Sequence, residues 1–263
     1  MKAATETATG IRAPRAPALL GPEPLYKQVK SQILARLAAG EWKPGQLLPS
    51  EPRLAERYGV GIATVRAAIG ELVAGRVLAR RQGKGTFVCL HEDRRSIHQF
   101  FHVVRNDGVK ALPVSELLSL RKARAEPAVA DQLALPRGAR GARVYKLRNV
   151  LRASGVPVVV SDIVIPARMF PGLNERIVRE AGETLYAVYQ MRFGVSIIRA
   201  VEELRAVAAD ASSAKILGLT PGSPALEVRR IAYTFNDVPV EVRRSLVETD
   251  HYHYLLEQGS VHR

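Results

Sequence analysis

The chain has 263 residues, a single cysteine and a formal charge of +14, with 39 Lys and Arg against 25 Asp and Glu. One thiol, Cys89, rules out an internal disulfide and a zinc site built from several thiolates, and no apolar run approaches the roughly twenty residues of a membrane span. What remains is a soluble protein of a reducing cytoplasm, with no membrane, metal or cofactor expected and with a polyanion, nucleic acid foremost, as the first partner to seek.

The positive charge is concentrated at the front, where residues 1–90 hold 14 basic against 6 acidic side chains. Residues 1–22 are rich in Ala, Thr and Pro with few large apolar groups, and a disordered tail is expected there. Leu25, Val29, Ile33 and Leu37 then recur every three to four residues, which predicts an amphipathic helix ending at Gly40. After the loop KPGQLLP, Ser50 stands as the cap of a short helix, EPRLAERYG, whose first turn tolerates Pro52 and whose end at Gly59 suits a left-handed residue. A three-residue turn leads to another helix with Val65, Ile69 and Leu72 on its core face. Its start is unusual: Gly61 replaces a capping side chain, and Ile62 and Ala63 are apolar where the pattern does not bury them. Helix, short turn, helix is the layout that places the second helix in a DNA groove.

Next, VLARRQGKGTFV reads as two strands around Gln82-Gly83-Lys84-Gly85, with Arg76, Arg80, Arg81 and Lys84 in or beside the hairpin. Three helices followed by a basic hairpin describe a winged helix-turn-helix, bounded here as residues 23–88.

The pieces PLYKQ, GEWKPGQLLPSE, LAERYGV, TVRAAI and RRQGKGTFV, in this order, resemble the DNA-binding domain of GntR-family bacterial transcriptional regulators. The resemblance implies a homodimer that reads an inverted repeat in double-stranded DNA, since two-fold protein symmetry demands two-fold operator symmetry. In similar proteins an Arg usually stands where this chain has Pro52 and Ile62, and a Ser or Thr where it has Gly61. Such arginines read guanine through paired hydrogen bonds. The expected DNA contacts here are Ser50, Arg53, Thr64 and Arg66 for phosphates, and Gln82, Gly83 and Lys84 at a minor groove. For Ile62 and Ala63 two placements are open: packed on thymine methyl groups in the major groove, or, for Ile62, turned inward beneath the preceding helix.

Residues 89–102, CLHEDRRSIHQFFH, are charged and irregular and read as a linker, in which His91, His98 and His102 are expected to be solvated. From 103 to 255 the chain carries a weak internal repeat, AVADQLALPRGARGARVYKLRNVLRASGVPVVVSDIVIP and AKILGLTPGSPALEVRRIAYTFNDVPVEVRRSLVETD. Each copy has a short helix, a strand, a reverse turn before Val-Pro-Val and a closing strand. Hairpin-linked strands with helices packed on them predict an α+β domain with an antiparallel sheet. Residues 256–263 are left as a short tail.

This back half resembles the UTRA sensor domain of HutC-type GntR regulators, through GVPVVVSDIVIPARMFPGL, SIIRAVEELRAVAAD, AKILGLTPGSPAL and VPVEVRRSLVETDHY. The resemblance implies a chorismate lyase-like fold holding a small, anionic effector. Arg148 and Arg199 are expected to pair with its acid group, with Ser161 as a donor, Glu203 and Glu241 as acceptors, and Arg243 two residues along the same strand face as Glu241. Val247 stands where sugar-phosphate sensors often carry an aromatic, which argues against a sugar. His251 and His253 beside Asp250 read as a strand end, not a metal site. The expected function is a repressor released or repositioned by its effector. A ligand-dependent activator fits the same residues, and an enzyme on a small anionic metabolite is the other class, supported by fold analogy alone.

Overall fold

In a computed structural model, the described residues are 22–90, 101–108, 113–136, 141–180 and 184–256. Residues 1–21 of the tail expected over 1–22, residues 91–100 of the expected linker with His91 and His98, and residues 257–263 of the expected terminal tail lie outside them.

The front module consists of α1 (Leu25–Ala38), α2 (Glu51–Tyr58), α3 (Ile62–Ala74), β1 (Leu78–Arg81) and β2 (Gly85–Val88). The periodic residues Val29, Ile33, Leu37, Val65, Ile69 and Leu72 close on Leu54 and Tyr58 to form its core, and Trp42 of the intervening loop joins them. Leu25, at the open first turn of α1, is half exposed instead of belonging to the apolar face. Gly59 ends α2 in the left-handed conformation, φ 66°. In the wing, β1 and β2 pair antiparallel with Arg81 opposite Gly85. Gly85 has φ +106°, and a Cβ there would lie 2.7 Å from Leu47 Cδ1, so this turn needs glycine twice over.

The back module adds β3 (Val103–Arg105), β4 (Val114–Arg124), α4 (Pro127–Gln132), β5 (Arg143–Ala153), β6 (Val156–Pro166), α5 (Glu175–Glu180), α6 (Leu185–Phe193), β7 (Arg199–Ala208), α7 (Ala211–Leu217), β8 (Pro224–Tyr233), β9 (Pro239–Glu248) and β10 (Tyr252–Tyr254). Six strands form one antiparallel sheet in the order β4-β5-β6-β9-β8-β7. The internal repeat is visible in it: β4-α4-β5-β6 and β7-α7-β8-β9 are matching halves that meet at β6 and β9. α4 and α7 cover one face, packing on Val144, Val164, Val160 and Leu246. On the other face α5 and α6 pack on Leu117, Leu147, Ile163 and Ile165, while the separate β3-β10 pair covers Val159, Val228 and Val247.

The two modules touch. Phe235, in the turn between β8 and β9, is buried in the same apolar cluster as Val29, Ile33 and Trp42. Gln190 of α6 donates through Nε2 to the carbonyl of Cys89, 3.1 Å away. Cys89 itself follows β2, with its amide donating to Val77 O.

Candidate nucleic-acid interface and effector cavity

The start of α3 and the wing turn form one exposed, cationic surface. Ser50, Arg53, Ile62, Ala63, Arg66, Gln82, Gly83 and Lys84 are all exposed, and Thr64 is partly so. Ile62 is 43% exposed, so it does not turn beneath α2. Helical phase explains this: Val65, Ala68, Ile69 and Leu72 already supply the buried stripe of α3, and Ile62 begins the helix at its free end. Ser50 has the extended conformation of an N-cap, but among the described residues its hydroxyl makes no capping hydrogen bond. The first intrahelical donors of α3 are the amides of Thr64 and Val65, both to Gly61 O. The amides preceding them carry the positive end of the helix dipole toward whatever faces Ile62.

Glu51 binds this surface together, a role the sequence reading missed. Its Oε2 accepts from Arg66 Nε and its Oε1 from Arg80 Nη2, each at 2.9 Å, so one carboxylate of α2 spans the recognition helix and the wing. The signal in sequence was only an acidic first residue of a helix, which the helix dipole explains equally well. Arg81 is held differently, with its guanidinium 5.0 Å from the Phe87 ring centre.

In the back module, Ser161, Arg243 and Ser245 project from β6 and β9 onto the face under the β3-β10 pair, with Arg230 beside them on β8. They line a small, partly open cavity of about 40 Å³ together with Phe101, His102, Val103 and Tyr254. Its polar groups are strongly committed. Glu241 is fully buried and accepts four hydrogen bonds: from Tyr186 Oη (3.0 Å), Tyr189 Oη (2.8 Å), Arg243 Nε (2.8 Å) and Arg243 Nη2 (3.0 Å). Burial and the adjacent Glu241 carboxylate push the Tyr186 phenol up to about 12 and hold Tyr189 well above its ordinary value. Burial alone would lower the Arg243 guanidinium, but Glu241 outweighs it and the group stays firmly charged. Arg230 is paired with Glu202 of β7, which also accepts from Tyr254. Ser161 and Ser245 hydroxyls bond each other at 2.8 Å.

The six expected effector residues do not share one site. Ser161, Glu241 and Arg243 come together; Arg148, Arg199 and Glu203 do not. Arg148 pairs in register with Asp162 and Asn149 with Ser161, so Arg148 faces the α7 side of the sheet, where its Nη2 donates to Ser212 and Ser213. Glu203, opposite Arg229 on the edge strand, is exposed beside Arg205. Arg199 donates to Asp237 and stacks 4.0 Å from the Tyr233 ring centre, at the end of the sheet nearest the front module. The physical reason is strand parity: side chains alternate, so a one-residue change of phase exchanges the faces.

Several lining residues were not singled out in sequence. Phe101 and His102 fell in the expected linker; His102, expected to be solvated, is instead half-buried against Tyr254, and burial lowers its imidazole below the ordinary range. Arg230, on β8, was not among the expected effector contacts. A second cavity, about 390 Å³, opens between β4 and α5 and is lined by Ser115, Glu116, Asn149, Arg152 and Arg179. His251 Nδ1 contacts Glu248 and His253 Nδ1 contacts Asn106, and among the described residues no group of three metal-ligating side chains occurs. No helix among those residues is long and apolar enough to cross a membrane.

Comparison with known proteins agrees with this two-module fold. Residues 25–88 match the gntR family of bacterial regulatory proteins, and residues 110–253 match the UTRA domain. The transcriptional repressor NagR of Bacillus subtilis is 28% identical over 89% of this chain and 96% of its own. The transcriptional repressor PhnF of Mycolicibacterium smegmatis is 32% identical over 87% and 91%. Among solved structures, the ligand-binding domain of a protein described as a GntR-family regulator from Bordetella bronchiseptica superposes with a TM-score of 0.58 at 37% identity, covering 61% of this chain and 98% of that one. With a helix-turn-helix and wing in front and the antiparallel sensor sheet behind, the chain belongs to the GntR family of bacterial transcriptional regulators that carry a UTRA domain.

Proposed function

We propose that the protein is a cytoplasmic repressor that grips an inverted-repeat operator as a homodimer and is released or repositioned by a small anionic effector in the UTRA domain. The relatives' names as repressors favour this sign over the activator reading. Arg66 and Arg80 pass from Glu51 to phosphates, Ser50, Arg53, Thr64 and Lys84 add to the backbone grip, and Gln82 and Gly83 approach a minor groove. Ile62 and Ala63 meet the thymine methyl edge in the major groove, where the helix offers no guanine-reading side chain of its own.

One observation carries the effector half: the cavity over Arg230 and Arg243 is narrowed by Phe101 and His102, the end of the segment that joins the modules, which are among its lining residues. At about 40 Å³ it is far below the roughly 300–1,000 Å³ of metabolite sites. An effector therefore binds a state in which those two residues have moved, and by linkage it favours the module arrangement that goes with that state. Ser161, Ser245 and the outward edge of Arg243 orient the ligand, while Glu241 holds Arg243 in place. The 390 Å³ cavity offers a second seat, since its size already suits a metabolite.

Operator selection from random duplexes, followed by thermal-shift screening against small anionic metabolites, tests the reading, because a ligand of the native state raises its apparent stability. A stabilising ligand should weaken operator binding, and Arg243→Lys should weaken that ligand. Loss of the ligand through Arg152→Ala alone moves the seat to the larger cavity. Guanine-anchored half-sites in the selection would overturn the thymine contact, and a stabilising ligand that leaves operator affinity unchanged would overturn the linkage.

A further inference from the structure

The two halves of the sensor sheet differ at the tip of the inner hairpin. Between β5 and β6 the chain turns on Ser154 and Gly155 alone, since Ala153 and Val156 are still paired. Between β8 and β9, Tyr233 pairs with Pro239 and five residues, Thr234 to Val238, form the tip. Two of them, Asn236 (φ 59°) and Asp237 (φ 53°), hold the left-handed conformation that non-glycine residues rarely adopt. Arg199 fixes the turn by donating twice to Asp237 Oδ1, at 3.0 and 2.8 Å, while its guanidinium lies over Tyr233.

This built turn presents Phe235 to the front module. An aromatic ring at a hairpin tip would ordinarily meet water, yet Phe235 is only 8% exposed, within the winged module's own apolar cluster and against α1. Ile198, just before β7, packs on the same cluster. Both strands leading to the tip contribute to the lining of the smaller cavity, through Val228 and Arg230 on β8 and Arg243, Ser245 and Val247 on β9. From Arg230 to Phe235 the extended chain spans roughly 17 Å.

We propose that Phe235 is a positioning residue for DNA binding: it seats the β8-β9 tip in the winged module and fixes that module's orientation on the sensor. This contact joins the modules independently of the covalent connection, and a shift of β8 or β9 reaches the recognition helix through it. The positioning role stands without any ligand; the transmission of an effector's presence rests on the function proposed above.

Nitrogen-15 relaxation on the full-length protein tests the contact without DNA. Residues 25–88 and the sensor should tumble as one body in the wild type. Phe235→Ala should leave the amide shifts of α2 and α3 in place and let the front module tumble faster. Asp237→Ala, which loosens the turn without emptying the cluster, should act in the same direction to a smaller extent. On DNA, Phe235→Ala should bind an isolated half-site as the wild type does and the full inverted repeat about tenfold more weakly, as lost pre-organisation lowers the effective concentration of the second module. Independent tumbling of the wild-type modules, or unchanged full-repeat affinity in both variants, would overturn the proposal. Absence of duplex preference in the wild type would strike the proposed function instead and leave the relaxation measurement to decide this contact.

Discussion

Arg66 and Arg243 are both arginines held by a glutamate, yet 64% of the Arg66 side chain meets solvent against 13% of that of Arg243. The Arg66–Glu51 pair is screened and weak, on the order of 0–1 kcal/mol for an exposed pair, so a phosphate can replace the carboxylate at little cost. The Arg243–Glu241 pair sits out of water with two tyrosine hydroxyls on the same carboxylate, and neither partner can leave without stranding the other. The front module thus keeps its chemistry available for exchange with a partner, whereas the sensor builds its chemistry into the core.

The largest effect is expected at the sensor pair. Glu241→Ala should destabilise the protein by about 3–5 kcal/mol, because Arg243 is left charged and unpaired in the interior. Urea unfolding measures this; a loss below about 1 kcal/mol would put the pair in the same class as the surface ones. Arg66→Ala should do the opposite, weakening binding to every duplex and lowering the slope of log affinity against log salt by about 0.9, with stability changed by less than about 0.5 kcal/mol. Salt titrations on operator and random DNA check both parts.

Three further substitutions probe each module separately. Ile62→Arg should introduce a preference for guanine in selected half-sites, with discrimination of about 1–3 kcal/mol where a bidentate contact forms. Asp210 caps α7 by accepting from the amides of Ser213 and Ser212, and these hydrogen bonds lower its carboxyl to about 2. Its folded value lies below the roughly 3.9 of an unfolded chain, so the stabilisation is complete above about pH 4 and is lost as pH falls through about 2. Asp210→Ala should cost about 1 kcal/mol at neutral pH and remove that acid-sensitive step from the unfolding profile. The smallest effect belongs to Glu51→Gln: with Arg66 and Arg80 released, non-specific affinity should rise by about two- to threefold and the preference for operator over random duplex should fall.

Much of the front module was legible because its signals are local. The spacing of Val29, Ile33 and Leu37, the left-handed glycine at 59 and the glycine-rich wing each specify backbone geometry within a few residues. The antiparallel sheet and its repeat were legible for the same reason, since hairpins join neighbours. The cavity was not. Asn149, not Arg148, shares the face of Ser161, and in a strand flanked by apolar residues on both sides nothing local marks which parity faces the β3-β10 pair. Glu51 and Phe235 were missed because their partners lie in other elements, at Arg66 and Arg80 for one and in α1's cluster for the other.

The sequence alone determined the order and kind of the elements, the basic character of the front module and membership of the family, because periodicity, capping and turn chemistry act along the chain. Only the tertiary structure decided which strand faces meet, which arginines are paired off and which lie open, and that a ring from the sensor is buried in the winged module. Those outcomes depend on strand phase and on contacts between distant segments, where a single residue's shift exchanges core for solvent.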